Sequence, residues 1–489
     1  MLRISLKLRV ALFGLLLCLA FPVFSASTKA QRVALGLPEA VALALQKNAD
    51  IKSAYLQRVL DKFTLQLAKD RYRLQPSLSV NEITTSLPHA FSDASDRQFG
   101  VTPGVTWDTP YSTNFAFSWS NTLNNGVYGS AESLTVTQPL LRGFGKQIAS
   151  APLNDALDQE IQAKMNLRQT LITTITQVIT DYYALQQAEM NIDNAKRTLK
   201  TNQRHLYQDR LRVKAGELAP TELSQDEYQV EQQKVQIGTS ENAIKDAQLR
   251  LSNDLGLDQR IQLILPTKIR VPQVRPNQQL SEKIVLANNI AYQQALLGIK
   301  QAKRGLLVAR DNARWNLTME ATAARSGSGF LGGTQTDTYL PYAASSNTVV
   351  ANSRVLLRLD VPLGQEHLQN REAIAQARIS LKNDEIRLKQ QRLTLTNQVD
   401  DQVQRIKEDL TNIHLAEKAL ALQRKTLQVT KEKIAYGMTS NFELFSQQNS
   451  YDSALQTVIQ NKITYLNDLA QFDSLLGTTL NTWNIKVKY

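Results

Sequence analysis

The residues able to make or break bonds are few and scattered. The four histidines, His89, His205, His367 and His414, share no spacing that would gather them round a metal ion. No serine or cysteine stands in a motif that pairs it with a histidine and an acid. The stretch GFGKQ at 143–147 lacks the four-residue interval and the trailing Ser or Thr of a phosphate loop. The only cysteine is Cys18, close to the N-terminus. The sequence therefore points to no catalytic residue, no metal and no cofactor. What it offers instead is a segment written twice, VKAGELAPTEL at 213–223 and IAYGMTSNFEL at 434–444. Each holds a glycine, Gly216 or Gly437, with a Glu-Leu pair six and seven residues on. The acids of those pairs are Glu222 and Glu443.

The surrounding elements explain the repetition. Between Pro152 and Pro220 there is no proline, and apolar residues recur every seven at Leu171, Val178, Leu185, Ile192, Leu199, Leu206 and Val213. That interval marks a coiled-coil seam. Gly216 ends this arm and Pro220 opens the next, which carries Leu223, Val230, Ile237, Ile244 and Leu251. A second hairpin follows the same rule, with Val399, Ile406, Ile413, Leu420, Leu427 and Ile434 before Gly437. Leu444, Tyr451, Val458, Tyr465 and Phe472 come after it. From Val178 onward, each seam residue of the first hairpin has its counterpart 221 residues later. Generic heptads explain the sevens but not the shared Gly and Glu-Leu, so the chain is a tandem duplication.

Ahead of each hairpin lies the same series. Residues 37–74 and 281–315 each predict one amphipathic helix. Alternating strands are predicted at about 77–87 and 131–139, then at about 316–324 and 349–361. Hairpins are expected at 150–255 and 365–476. The domain plan is then a leader over 1–25, a first repeat over 26–255, a connector rich in proline over 256–280, a second repeat over 281–478 and a C-terminal tail over 479–489. The tail, WNIKVKY, predicts a short strand in the waist of the molecule.

The leader has the pattern of a secretory signal peptide. Arg3, Lys7 and Arg9 precede the apolar run Val10–Leu19, and small residues near Ser25 suit cleavage. Cleavage would remove Cys18, leaving no thiol or disulfide chemistry. Bulky Leu17 before Cys18 argues against lipidation. The net charge is +12, three of it in the leader. Basic residues are mixed with acids and Gln along the helices, which speaks for solvated faces and against a nucleic-acid partner. No later stretch is apolar enough for a spanning helix, but alternating strands of 9–11 residues suit a tilted membrane barrel.

Four strands from one chain cannot close such a barrel, because open edges would lie unpaired in lipid. Three copies would supply twelve. One strand face would then meet outer-membrane lipid. The Ser/Thr/Asn face, or that of Arg358 and Asp360, would meet water. Within the polar stretch 88–130, NFAFSWS sets Phe115, Phe117 and Trp119 on one strand face. The segment 98–121 has no counterpart in the second half. It is either an outward hairpin or two added strands, and an extracellular hairpin is the expectation.

SLTVTQPLLRGFG, LRLDVPLGQ, RVKAGELAPTEL and KIAYGMTSNFELF stand in this order within a duplicated chain. Together they resemble the TolC-type outer-membrane efflux proteins over about residues 35–478. The resemblance implies a mixed α-helical and β-barrel membrane fold. A homotrimer would build a twelve-stranded barrel, four strands per chain, continued by a coiled-coil helical tunnel through the periplasm. It implies a passive exit duct for an inner-membrane pump, joined to it by a periplasmic adaptor protein. It places adaptor docking at Gly216, Glu217 and Leu218 and at Gly437, Met438 and Thr439. It places a periplasmic gate at Glu222 and Glu443. Carboxylates from three copies about 6 Å apart would repel by on the order of 3 kcal/mol at an effective dielectric near 20. The sequence departs from the best-known relative at Ser446, where that protein has a second acid. Ile434 and Thr439 stand where its mouth is locked by Tyr and Arg. The other reading of the long hairpins is a periplasmic coiled-coil scaffold or adaptor that never forms a pore.

Overall fold

A computed structural model describes residues 32–89, 92–124, 127–217, 219–258, 260–266, 269–330, 348–436 and 438–487. The leader lies outside these residues. The chain opens with β1 (Arg32–Ala34), α1 (Leu37–Lys47) and α2 (Ala49–Asp70). Four strands follow, β2 (Gln75–His89), β3 (Ser92–Asp108), β4 (Asn114–Asn124) and β5 (Val127–Pro139). A short α3 (Lys146–Ala149) leads into α4 (Ala151–Lys214) and its return arm α5 (Pro220–Leu255). After β6 (Gln262–Ile264) come α6 (Gln278–Asn288) and α7 (Ile290–Asn312), then β7 (Asn316–Phe330) and β8 (Thr348–Asp360). The chain ends with α8 (Gln365–Ala435), α9 (Asn441–Leu476) and α10 (Thr479–Thr482). At 1.5 Å per residue, the 64 residues of α4 span about 96 Å. The 71 of α8 span about 106 Å.

The heptad seams close the hairpins. Val178, Leu185 and Leu251 are buried in one cluster with Leu255 and Leu263. Val399, Ile406, Ile413, Tyr465 and Phe472 are buried in another. At the waist, β1 and β6 pair in parallel, tying the chain's start to the connector.

Each expected single helix is two. The helix over 37–74 breaks at Asn48, and that over 281–315 breaks at Asn289. Both asparagines hold extended backbone, with ψ of 135° and 124°. Asn48 Oδ1 accepts from the amides of Asp50 and Ile51, and its Nδ2 donates to the Asp254 carbonyl at 2.7 Å. Asn289 accepts from the Tyr292 amide, and its Nδ2 donates to the Leu475 carbonyl at 3.0 Å. An asparagine side chain can cap a new helix start and so compete with continuation of the old one. Apolar periodicity alone does not register that competition.

The sheet corrects the count of four strands per chain. It has six, in the order β2-β3-β4-β5-β7-β8, each pair antiparallel. The segment 98–121 is not an outward hairpin; it belongs to β3 and β4. The turn joining them sits at the helix end of the sheet, since Thr106 lies opposite Gln75, where β2 leaves α2. Trp107 Nε1 donates to the Tyr72 carbonyl at 3.1 Å, and Ser112 Oγ to that of Gly143 at 2.5 Å. Two things hid these strands. Their Ser, Thr, Asn and Gly content reads as loop, and Pro103 reads as a strand breaker. Pro103 keeps its place opposite Leu78, while Thr102 Oγ1 bonds Ser120 Oγ at 3.3 Å where the β3–β4 ladder is interrupted.

The tail is not a strand among its described residues. After α10, Ile485 and Val487 pack beside Trp483 against the cluster of Ile51, Leu171 and Ile175. They anchor the waist by burial rather than by ladder hydrogen bonds.

Candidate functional site: the hairpin tips

Both hairpins end their first arm with the same backbone bond, from an amide to the carbonyl five residues back. Gly216 follows the last residues of α4 with φ of 75°. Its amide donates to the Val213 carbonyl at 3.1 Å, and the Glu217 amide to that of Arg212 at 2.9 Å. This closing pair satisfies helix-end carbonyls and needs a left-handed residue, which glycine supplies most easily. At the second tip the Met438 amide reaches back to the Lys433 carbonyl at 2.9 Å, the equivalent bond. Gly437 itself lies outside the described residues, as does Leu218. A Cβ added to Gly216 would meet nothing within 4 Å. This glycine therefore serves the turn and not a packing contact.

Glu217 is exposed at the first tip, with Arg212 4.0 Å away. Glu222 lies in the first turn of α5, and its side chain is outside the described residues. Thr439 is half-buried, whereas Met438 is exposed. Ser440 caps α9 by accepting the Glu443 amide at 3.4 Å. Glu443 Oε1 accepts from Gln447 Nε2 at 2.8 Å, and Gln447 Oε1 in turn accepts from Gln423 at 2.7 Å. Glu443 thus stands at the end of a polar chain that crosses from α9 to α8. The acids Glu222 and Glu443 belong to separate hairpins, Glu222 on α5 and Glu443 on α9.

The two tips are joined by other groups. Asp209 on α4 is buried and accepts from Asn441 Nδ2 at 2.5 Å, while Arg212 lies 3.3 Å from its other oxygen. Higher up, Asp452 of α9 accepts from Thr198 at 2.8 Å and Asn194 at 3.3 Å, both on α4. Burial raises the Asp452 pKa, and these hydrogen bonds pull it back. Burial lowers that of His205, whose ring meets Phe445 edge to face.

Sequence reasoning missed both joining acids. It also missed an apolar rim of Tyr207, Leu211, Tyr436, Met438 and Phe442, all exposed. Of these it named only Met438. The signal was present: Tyr207, Leu211, Tyr436 and Phe442 are large apolar residues lying off the heptad seam beside the tips, where solvent leaves them no partner in the chain.

No helix among the described residues is long and apolar enough to cross a membrane. No metal-holding group of His, Cys, Asp or Glu occurs among them. No family model and no curated protein matches the sequence. Solved structures do match. The chain is similar to CusC, from work on folding and transmembrane channel formation, with a TM-score of 0.67 at 16% identity, covering 92% of this chain and 95% of that one. It is similar to the open state of the MtrE outer membrane channel of Neisseria gonorrhoeae, with a TM-score of 0.68 at 14% identity, covering 91% and 89%. It is similar to the outer membrane protein VceC of Vibrio cholerae, with a TM-score of 0.67 at 10% identity, covering 90% and 96%. The likeness spans nearly the whole of each chain. The fold is that of the TolC-type outer-membrane channels, with long helical hairpins continued by an antiparallel sheet.

Proposed function

We propose that this chain is the outer-membrane exit duct of a tripartite efflux or type I secretion system. It works as a homotrimer, with its sheet in the outer membrane and its hairpins in the periplasm. It conducts passively what an inner-membrane pump delivers through a periplasmic adaptor. No catalytic role is assigned to any residue.

The observation that carries this reading is the shape of the lateral flanks. The helices pack in the row α2, α4, α7, α8. Its two outer members each expose an apolar stripe, Leu56, Leu60, Phe63 and Leu67 on α2 and Ile379, Ile386 and Leu393 on α8. Stripes on opposite flanks suit head-to-tail association that closes a ring. The same flanks carry the sheet's two open edges, which a lipid environment requires to be paired.

The tips take two roles. The rim of Tyr207, Leu211, Tyr436 and Met438, set by the turns at Gly216–Leu218 and Gly437–Thr439, receives the adaptor. Glu443, with Glu222 on the other hairpin, lines the inner mouth and favours cations there.

Purified protein in planar bilayers tests the duct. Step-like ionic currents and heat-modifiable trimers are expected. A monomer in mild detergent with no current, released from cells by osmotic shock, would instead mark a periplasmic scaffold. Glu443→Ala should raise conductance or weaken block by multivalent cations; unchanged current and unchanged block remove Glu443 from the gate. Bulky substitutions at Gly216 or Gly437 should abolish efflux while trimers persist, and normal drug tolerance would discard docking there.

A further inference from the structure

We infer that the barrel completed by three copies of this chain has eighteen strands, with β3 and β4 crossing the membrane beside the other four. The inference rests on the trimeric duct proposed above. The carrying observation is how the six strands share their faces.

The registers place one set of side chains on one face throughout. Leu78 and Val80 lie beside Pro103 and Val101. Val105 and Trp107 lie beside Phe117 and Phe115, and these beside Leu134 and Val136. Leu134 and Val136 lie beside Ala323 and Ala321, and Ala321 beside Val355. The other face carries Ser77, Ser79, Gly104, Thr106, Ser118, Thr135 and Thr322 at the alternate positions. The same face also carries Asn121, Ser130 and the paired Glu132 and Arg325, farther from the helices. The apolar residues of β3 overlap in level with those of β2, and those of β4 with those of β5, so the band continues across the added pair. A hairpin projecting into water would leave Val101, Val105, Phe115, Phe117 and Trp119 against solvent. A hairpin within the membrane puts the same residues against lipid. Trp107 stacks on Phe115 with ring centroids 5.3 Å apart near the helix end of the sheet. An aromatic pair suits a membrane interface at that level.

The widths agree as well. Six strands about 4.8 Å apart and tilted by about 40° cover roughly 38 Å of circumference, against about 25 Å for four. The four helices of the row below, at about 8–10 Å spacing, cover roughly 32–40 Å. Six strands let the barrel wall meet the helical wall without a step. The outer mouth would have a Cα radius of about 18 Å rather than about 12 Å, roughly doubling its cross-section.

Closure needs β8 of one copy to pair with β2 of the next, the two edges of the sheet. β2 runs away from the helices and β8 towards them, so the seam is antiparallel like the rest. A tilt of about 35–45° staggers each copy by roughly six to eight residues. Matching apolar face to apolar face then sets Val355 beside Val80 or Glu82 of its neighbour. On the polar face it sets Leu356 beside Ser79 or Asn81.

Three measurements test this. With a maleimide-polyethylene glycol of about 5 kDa, Tyr111→Cys in the β3–β4 turn should be labelled in intact cells at less than a tenth of the extent of Val127→Cys at the far end of β5. The two should become equal once the outer membrane is permeabilised. Equal labelling in intact cells would overturn the inference, because the turn would then face outward. Leu356→Cys combined with Ser79→Cys, or with Asn81→Cys, should give covalent trimers under oxidation. If neither pair cross-links while Tyr111→Cys stays protected, the strand assignment holds and the trimeric closure fails. Images of the unaltered protein down its long axis should show eighteen strands; twelve would sink the inference whatever the variants do.

Discussion

At the end of α5, Gly256 holds φ of 62°, and a Cβ there would lie 2.5 Å from the Lys47 carbonyl oxygen. At the end of α9, 221 residues later, Gly477 holds φ of 69°, and its Cβ would lie 2.7 Å from the Asn288 carbonyl. Each glycine lets a return helix end against the break in a shorter helix, at Asn48 in one half and Asn289 in the other. The joints of the two halves thus match in their glycines and in the carbonyls these approach, whereas the sheets differ: the first half gives four strands and the second gives two. The joints are held by direct backbone contact, which tolerates no added atom. The sheet accepts an added pair because a meander can lengthen by one hairpin without disturbing its neighbours' registers. Duplication followed by change in the sheet alone accounts for both observations.

The sharpest way to break the comparison is to fill the joints. Gly256→Ala and Gly477→Ala each add a clash to a left-handed strain, together about 2–6 kcal/mol. Melting of the helical signal by circular dichroism should fall alike for both. Gly216→Ala has the same left-handed strain and no clash, so its cost should be only about 1–2 kcal/mol. Equal losses at all three positions would mean that the contacts with Lys47 and Asn288 carry no weight.

The asparagines separate the halves more finely. Asn48 is buried, caps two amides and holds the Asp254 carbonyl. Asn289 caps one amide and holds one carbonyl. Asn48→Ala should cost about 1–3 kcal/mol and Asn289→Ala about 1 kcal/mol. The same thermal melts check the order, and a reversed order would show that the first joint draws its strength from elsewhere.

These joints mark the limit of what the residues disclosed. The seams, both tips and the duplication were legible, because heptads and a paired glycine leave periodic marks. The breaks at Asn48 and Asn289 were not, since one polar residue in an amphipathic run alters no period. The partners of those asparagines are 206 and 186 residues away in sequence. β3 and β4 were half legible. Phe115, Phe117 and Trp119 showed the alternation, but the Ser, Thr and Asn residues on the other face of these strands look the same as loop residues. At the tips, the glycines and Glu443 could be found by repetition, while Asp209 and Asn441 have no repeated counterpart to draw attention.

A last, smaller effect is an acid pair that the two hairpins share, and it tests how far the likeness of the halves extends. In the first, burial, and then a hydrogen bond and charge from Asp181, push the Asp254 carboxyl up to about 7, with Asp50 adding to it. In the second, burial and Asp468 push Asp409 up to about 7, with Glu408 adding and Arg405 opposing. In the unfolded chain either group releases its proton near pH 3.9. Folding therefore takes up protons between about pH 4 and 7, and stability falls as pH rises through that window. The melting temperature of the helical hairpins should drop between about pH 4 and 7. Asp254→Asn and Asp409→Asn should each flatten part of that drop by a similar amount, because both carboxyls are pushed up to about 7. An undiminished pH dependence in the double variant would place the sensitivity outside both carboxyl pairs.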